Sequence, residues 1–288
     1  MPKNFKSSLQ NRAVGRALAR WRADSGMSLS EVTKNVGWST AKTSMLQNGL
    51  RPIPDYDVLA LALVYGVSDR ERRPVLLGAQ RAHASRQFEL LGGETAACVA
   101  WTYAELESEA SYERVIAMDL LPPVVRSPEY EAALRRARVS PSSHQDRRYY
   151  SDADRSQVMS HIHDGPSLCV DLVIGEAVLR RPVGGHLVAA DQLLKLAALA
   201  ALPGVRVQLA ADIGTFAGIP SFTIFSFREE EFDDVVYLDT LHNEIWLEHV
   251  DEVLPYTESF TRLMSNLLST DATIARIFEA AQKHKDAK

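Results

Sequence analysis

The chain has 288 residues, of which 46% are hydrophobic and 24% are charged, and its formal net charge is −5. This length exceeds one average domain, and the apolar content is enough for a hydrophobic core in each of two parts. No segment approaches the roughly 20 uncharged apolar residues that span a bilayer, and the N-terminus has no charged-then-apolar signal. We therefore expect a two-part cytoplasmic protein that makes no membrane contact.

Charge is divided unevenly along the chain. Residues 1–80 carry twelve lysines and arginines against six acids, a net charge of +6, so residues 81–288 carry −11. A basic segment attracts phosphates, and an acidic remainder discourages the rest of the molecule from adhering to nucleic acid. The first 80 residues are therefore the expected DNA-binding end.

Residues 28–49 predict two short helices joined by a tight turn. Ser28 and Glu31 have the spacing of a capping box, which satisfies backbone N–H groups at the start of a helix. Gly37 falls where the chain leaves that helix with positive φ, a conformation that glycine adopts without a Cβ clash. The pattern is typical of a helix-turn-helix, although capped helical hairpins also occur in proteins that bind no DNA.

The second helix of this pair is predicted to begin after Ser39, with Thr43 and Leu46 facing inward. Its outward or flanking positions are the candidate readers of the major groove. They are Thr40, Ala41, Lys42, Ser44 and Met45.

Residues 12–68 resemble the Cro/cI-like helix-turn-helix regulators of the xenobiotic-response-element (XRE) type. The likeness consists of a basic first helix, the turn glycine Gly37, the stop Asn48-Gly49 and a later apolar helix ending in Gly-Val-Ser. It implies a five-helix, all-α domain that binds double-stranded DNA. It also implies that Thr40, Ala41 and Met45 face bases, and that Asn48, Arg51 and the helix start near Leu29 face phosphates.

The chain departs from that family at Leu29, where many relatives have Gln, at Thr33, where they have Ala, and at residues 45–47. Ala41 and the methyl group of Thr40 suit the thymine methyl, and Lys42 is the residue nearby that bonds guanine well. We therefore expect weak or thymine-biased base readout. Because one such domain contacts one half-site, we also expect a homodimer.

The next region predicts a connector and then a second domain. A connector helix is expected from about Arg73 to Leu91, which gives domains at 1–72 and 96–288 with a connector at 73–95. A helical period then runs through 96–116, with Trp101, Leu106 and Ala110 on one side. The opposite side carries Glu105, Glu107 and Glu109, which we interpret as a solvated helix face in preference to a metal site.

The second half of the chain predicts a mixed α/β domain. Pro122-Pro123 breaks a helix, and Ser127-Pro128 begins another with Pro128 at its first position. Five short runs rich in Val, Ile, Phe and Tyr predict strands, with the first two in a parallel crossover and the later ones in antiparallel hairpins. The strands are expected at 168–174, 205–210, 221–227, 234–239 and 244–249. Helices are expected at 152–163, near 251–268 and near 271–284, and a further helix of roughly fifteen residues begins near His186 and is ended by Pro203-Gly204.

About 160 residues of this half resemble the C-terminal domain of unknown function found in actinobacterial antitoxin-like regulators. The likeness rests on LPPVVRSPEY, GEAVLRRPVGG, DQLLKLA, VRVQLAAD and VVYLD. The chain departs from the pattern of that family at residues 122–127, 154–157 and 237–239. The resemblance implies a regulator, and a small acidic partner protein encoded beside it.

The sequence contains none of the common catalytic motifs GxSxG, GxxxxGK[ST], HExxH or post-strand GxGxxG. His161, His163 and Asp164 form an HxHD string that would aim both imidazoles one way in a strand, but we interpret it as the end of a helix. Cys98 and Cys169 lack a CxxC partner, so we expect reduced, buried thiols. No catalytic residue, metal or cofactor is predicted.

Two glycine-bearing loops, Gly184-Gly185-His186 and 212–218, are candidates for lining a ligand site. The candidate ligand- or partner-binding residues are Glu176, Arg180, Arg181, His186, Asp212 and Asp239. The favoured function is a nucleoid-associated DNA-binding regulator whose second domain dimerises and binds a small-molecule effector or partner protein. The alternative is an enzyme directed at nucleotides or phosphates, with an autoregulatory DNA-binding head.

Overall fold

The computed structural model describes residues 5–84, 101–137, 158–162, 168–210, 218–240 and 244–287. The chain forms two compact units. The first comprises Met1–Trp101 with Glu229–Asp233, and the second comprises Thr102–Arg228 with Asp234–Lys288. The predicted domain limits at residues 72 and 95 stay predictions.

The first unit is built from helices. They are α1 (Leu9–Asp24), α2 (Leu29–Val36), α3 (Thr40–Gln47), α4 (Asp55–Val64) and α5 (Asp69–Ala84). This set confirms the all-α, five-helix layout expected for the N-terminal domain.

The core of the first unit is formed by aliphatic side chains from several helices. Leu18, Leu46 and Leu61 are fully buried in it, and α5 adds Val75 and Ala79. Residues 73–84 of the predicted connector are therefore part of a helix that contributes to this core.

The second unit combines a sheet with helices. Its elements are α6 (Tyr103–Glu109), β1 (Tyr112–Ala117), α7 (Pro128–Arg136), α8 (158–162), β2 (Cys169–Gly175), α9 (Glu176–Arg180), α10 (His186–Leu199), β3 (Val205–Ala210), β4 (Phe222–Ser226), β5 (Val235–Asp239), β6 (Glu244–Leu247), α11 (Val250–Leu263) and α12 (Thr270–Asp286). Ser127 caps α7 and Pro128 occupies its first turn, as predicted.

Six strands form one sheet in the order β3-β2-β1-β4-β5-β6. The pairs β1–β2 and β2–β3 are parallel, and the pairs from β1–β4 to β5–β6 are antiparallel. All five predicted strands are confirmed, together with the parallel crossover and the later hairpins. The second unit is a mixed α/β domain, as expected.

The predicted continuous helix through residues 96–116 is confirmed only for α6 (Tyr103–Glu109): residues 96–100 lie outside the described residues, and the prediction is wrong beyond Glu109. Residues Tyr112–Ala117 are instead β1, which lies in the middle of the sheet between β2 and β4. Ala110 has the extended dihedrals φ −69° and ψ 147°, which end the helix. The β-branched pair Val115 and Ile116 then packs on the pleated sheet, where such side chains fit better than in a helix.

The prediction that Glu107 faces solvent is also wrong, because this side chain is fully buried. It lies beside Glu113 of β1, which is fully buried as well, so the two carboxyl groups share one buried environment. Burial raises the pKa of Glu113 to about 7, since desolvation penalises the charged carboxylate. Tyr103 donates a hydrogen bond to the Glu113 carboxyl group. Glu109, by contrast, is exposed as predicted.

Several predictions fall at or beyond the edges of the described residues. Cys169 is a free thiol in β2 and is half-buried, less than expected, while Cys98 lies outside the described residues. His161 lies in α8, but His163 and Asp164 lie outside the described residues. No described helix is long and apolar enough to cross a membrane.

Candidate functional site

The turn between α2 and α3 has the local structure that its residues predict. Ser28 accepts from the Glu31 N–H and the Glu31 carboxylate accepts from the Ser28 N–H, so the capping box is complete. Gly37 ends α2 with φ 69°, in the left-handed region. Ser39 caps α3 by accepting from the Lys42 N–H. These three features fix the orientation of α3 relative to α2.

Helix α3 has one buried and one accessible side. Thr43 and Leu46 are fully buried, as predicted. Thr40 and Ala41 are exposed, whereas Ser44 and Met45 are half-buried, and Asn48 is exposed at the end of the helix. We call Thr40, Ala41, Ser44, Met45, Asn48 and Arg51, together with Lys42, the α3 surface.

Lys42 differs from the other members of the α3 surface because its charge already has a partner. Its Nζ lies 3.0 and 3.1 Å from the two carboxylate oxygens of Asp57, which is only 4% exposed. The same Nζ lies 3.6 Å from the ring centre of Trp38. The Lys42 ammonium therefore joins α3 to α4 and neutralises a buried acid.

Arg51 is the cation of the α3 surface with no such partner. Its Nε atom is buried and has no hydrogen-bond partner among the described residues. The backbone around it is nevertheless held by Asn11, whose Nδ2 donates to the Gly49 and Arg51 carbonyls at 3.1 and 3.0 Å. The Oδ1 atom of Asn11 accepts from the Ile53 N–H at 3.2 Å.

Sequence reasoning missed Asn11 as a residue that supports this site. Asn11 lies in α1, and its contacts with residues 49–53 depend on how α1 crosses the end of α3. That crossing is close, because a Cβ on Gly15 would lie 2.8 Å from the Gly49 nitrogen and from the Leu46 oxygen. A polar residue at an otherwise buried helix position was the one signal in the sequence.

The second unit contains a cleft of about 280 Å³. Three of the predicted ligand-binding residues, Glu176, Arg180 and His186, line it. Sequence reasoning missed the residues that α12 contributes, because nothing in the sequence relates that helix to α9. We call this site the α9–α12 cleft, and its further lining residues are Leu179, Arg276, Glu279, Ala280, Lys283, His284 and Ala287.

Two histidines meet in the α9–α12 cleft. The Nδ1 atoms of His186 and His284 are 2.9 Å apart, and the His284 Nε2 atom lies 2.9 Å from the Leu179 carbonyl oxygen. A carbonyl oxygen can only accept, so His284 carries its proton on Nε2. In a neutral pair, His284 Nδ1 then accepts from His186 Nδ1–H.

The remaining predicted ligand residues do not join the α9–α12 cleft. Arg181 lies 3.6 Å from Asp119, and both are largely exposed. Asp239 is exposed at the end of β5, opposite Glu244 of β6. Asp212 lies outside the described residues. Within the described part of the chain no three His, Cys, Asp or Glu residues are grouped to hold a metal ion.

Comparison with known proteins assigns both units. Residues 13–75 match a family described as a helix-turn-helix domain, which together with the capped α2–α3 pair makes this a DNA-binding regulator of transcription. Residues 101–279 match the domain of unknown function DUF5753, and the chain belongs to that family. The helix-turn-helix and the domain of unknown function inferred from the sequence are thereby confirmed.

One solved structure with some likeness is that of the clp gene regulator ClgR from C. glutamicum. It shares 27% identity over 27% of this chain and 96% of its own, with a TM-score of 0.22, which is too low to bear on fold or function. No curated protein matches the chain.

Proposed function

We propose that this protein is a sequence-specific, nucleoid-associated transcriptional regulator that binds double-stranded DNA as a homodimer. The observation that carries the proposal is the α3 surface, where the exposed Thr40 and Ala41 lie on the same short helix that ends before Arg51. Small side chains at the start of a recognition helix allow its backbone to enter the major groove.

Within this surface we assign two kinds of contact. Thr40, Ala41, Ser44 and Met45 face base edges, with the Thr40 and Ala41 methyl groups against thymine methyls. Asn48 and Arg51 contact phosphates, and Arg51 is suited to this because, unlike Lys42, it forms no ion pair among the described residues.

Lys42 has a more limited role in the proposed interface. Its ammonium is engaged by Asp57 and Trp38, so it contributes charge near the DNA while holding α3 against α4. If the Lys42 ammonium left Asp57 to bind a DNA phosphate, the buried Asp57 carboxylate would lose its cation, which is costly. The proposal therefore gives Arg51 the larger share of phosphate binding.

The homodimer follows from the small size of the reading surface. One helix-turn-helix contacts one half-site, and two linked heads add the avidity that a few methyl contacts lack. We propose that the second unit provides dimerisation and responds to a small-molecule effector or a small acidic partner protein.

For the α9–α12 cleft we propose binding in preference to catalysis. His284 is the base nearest to His186, and both of its ring nitrogens are already engaged, one by His186 and the other by the Leu179 carbonyl. His284 therefore has no nitrogen free to take a substrate's proton, and we assign the free Nε2 of His186 to holding a ligand hydroxyl. This pair is therefore suited to positioning a ligand.

The test is genome-wide DNA occupancy of the tagged full chain, with the Arg51→Ala variant beside it. We expect discrete peaks that share a two-fold sequence, and reduced peak heights in the variant. Occupancy without discrete peaks, or peaks of unchanged height in the variant, would overturn the proposal.

A further inference from the structure

We propose that the α9–α12 cleft binds a small metabolite that carries a phosphate monoester. The proposal that the cleft binds such a ligand does not depend on the proposed function, but its role as the effector site of a transcription regulator does. Four observations support it: the shape of the cleft, its uncompensated positive charge, the tautomers of the histidine pair and the uncapped start of α10.

The cleft exists because α12 presents small side chains between charged ones. Arg276, Ala280 and Lys283 recur every three or four residues, so they share one face of the helix, and Ala287 follows at its C-cap. The two alanines leave space that longer side chains would fill. A volume of about 280 Å³ lies just below the roughly 300–1,000 Å³ of sites for drug-sized ligands, so it suits a metabolite.

The charges of the cleft leave a net attraction for an anion. Glu176 lies 3.5 Å from Arg180 and Glu279 lies 3.6 Å from Arg276, each within its own helix. Such loose pairs between partly exposed side chains are weak, so both arginines can turn to a ligand at little cost. Lys283 has no acidic partner among the described residues.

The histidine pair determines which ring nitrogen of His186 a ligand can use. His186 Nδ1 is engaged by His284, which leaves the Nε2 atom of this exposed residue for the ligand. A neutral His186 accepts there from a ligand hydroxyl, and a protonated one donates to a phosphate oxygen. His284 is buried and anchored to the Leu179 carbonyl, so the pair holds the His186 ring in place.

Helix α10 adds hydrogen-bond donors beside this histidine. Its N-cap is Gly185, which has no side chain to satisfy the N–H groups of the first turn, and His186 is the first helical residue. Such groups bind phosphate oxygens well.

The glutamates of the cleft narrow the class of ligand. Glu176 and Glu279 would repel an extended polyanion such as nucleic acid, but they accept hydrogen bonds from hydroxyl groups. A guanidinium matches two oxygens of one phosphate group in a bidentate contact. A compact polyol with one phosphate, such as a sugar phosphate, satisfies both requirements.

The test is to titrate the full-length chain separately with inorganic phosphate, glucose 6-phosphate and citrate. Calorimetry measures the affinity, and the imidazole NMR signals of His186 and His284 report whether the ligand binds in the cleft. We expect saturable binding of both phosphates with shifts at both histidines, glucose 6-phosphate binding the tighter of the two. Citrate binding more tightly than either phosphate would overturn the proposal in favour of a carboxylate site.

Matched variants separate the cleft from general charge. Lys283→Glu should weaken glucose 6-phosphate binding by about tenfold or more, whereas Lys285→Glu, the same charge change two residues along α12 and outside the cleft, should not. Ala280→Phe should block binding by filling the cleft, with Ala275→Phe at an exposed position as its control. Equal losses in Lys283→Glu and Lys285→Glu would overturn the proposal.

Operator binding by the wild-type chain distinguishes the two proposals. A chain that binds both phosphates in the cleft and no DNA would support this inference and contradict the proposed function. A chain that binds its operator but neither phosphate would overturn this inference alone.

Discussion

The side chain of Asn11 holds the backbone of Arg51, its Nδ2 donating to the Arg51 carbonyl oxygen at 3.0 Å across 40 residues of sequence. The same amide group also contacts Gly49 and Ile53, so the loop that follows α3 is fixed from α1. The backbone of Arg51 is thereby held in place, which reduces the entropy lost when its side chain binds a phosphate.

Asn11→Ala is expected to destabilise the first unit and to weaken DNA binding. Asn11 is only 4% exposed, and its loss leaves the buried Ile53 N–H without this partner, at a cost of about 1–3 kcal/mol. The Gly49 carbonyl keeps its hydrogen bond from Ser7 Oγ. Thermal unfolding and operator titration measure the two effects. Asn35→Ala, at an exposed position of α2, is the control and should change neither.

Arg51→Ala and Lys42→Met are expected to act differently on DNA binding. Loss of one phosphate contact lowers the slope of log K against log salt by about one unit, and we expect this for Arg51→Ala. Lys42→Met should instead lower the free energy of unfolding by about 1–3 kcal/mol, because it leaves the buried Asp57 carboxylate without its donor.

Asp57→Asn combined with Lys42→Met should recover most of the stability that Lys42→Met alone loses. A double variant as unstable as the single one would contradict the role given to this ion pair. A salt slope that falls in Lys42→Met and not in Arg51→Ala would reverse the assignment of the phosphate contact.

The protein is expected to be a dimer that reads two half-sites about 34 Å apart, one turn of the double helix. Light scattering at micromolar concentration measures its mass with and without operator DNA. Inserting five base pairs between the half-sites turns one of them to the opposite side of the DNA and should reduce affinity. A chain that stays monomeric on operator DNA would refute this expectation.

Stability is expected to fall as pH rises from about 4.5 to about 7 because of Glu113. Burial raises its folded-state pKa to about 7 from the ordinary value of 4.5, so in this window the unfolded chain releases a proton that the folded chain retains. The stabilisation is complete below pH 4.5 and is lost as pH passes 7.

Glu113→Gln should flatten this part of the pH profile, since glutamine does not titrate and can still accept the hydrogen bond from Tyr103. The melting temperature between pH 4.5 and 8 is the measurement. Glu109→Gln, at an exposed position of α6, should keep the wild-type profile. Identical slopes in the wild type and Glu113→Gln would show that another group is responsible.

Local signals determined much of this structure. The Ser28–Glu31 box, the turn at Gly37, the cap at Ser127 and the five predicted strands all appear as expected, because caps, turns and short apolar runs depend on residues only a few positions apart. The same local reasoning failed at β1, because the helical pattern of α6 was extended through the residues that form this strand.

Tertiary structure alone decided which polar residues meet. His186 and His284 are 98 residues apart, and Lys42 meets Asp57 only because α4 packs against α2, the helix before α3. Glu107 is buried because β1, which local reasoning missed, places Glu113 next to it. Periodicity indicates which face of an element is buried, but the partner of a buried charge depends on the order and pairing of the strands and helices.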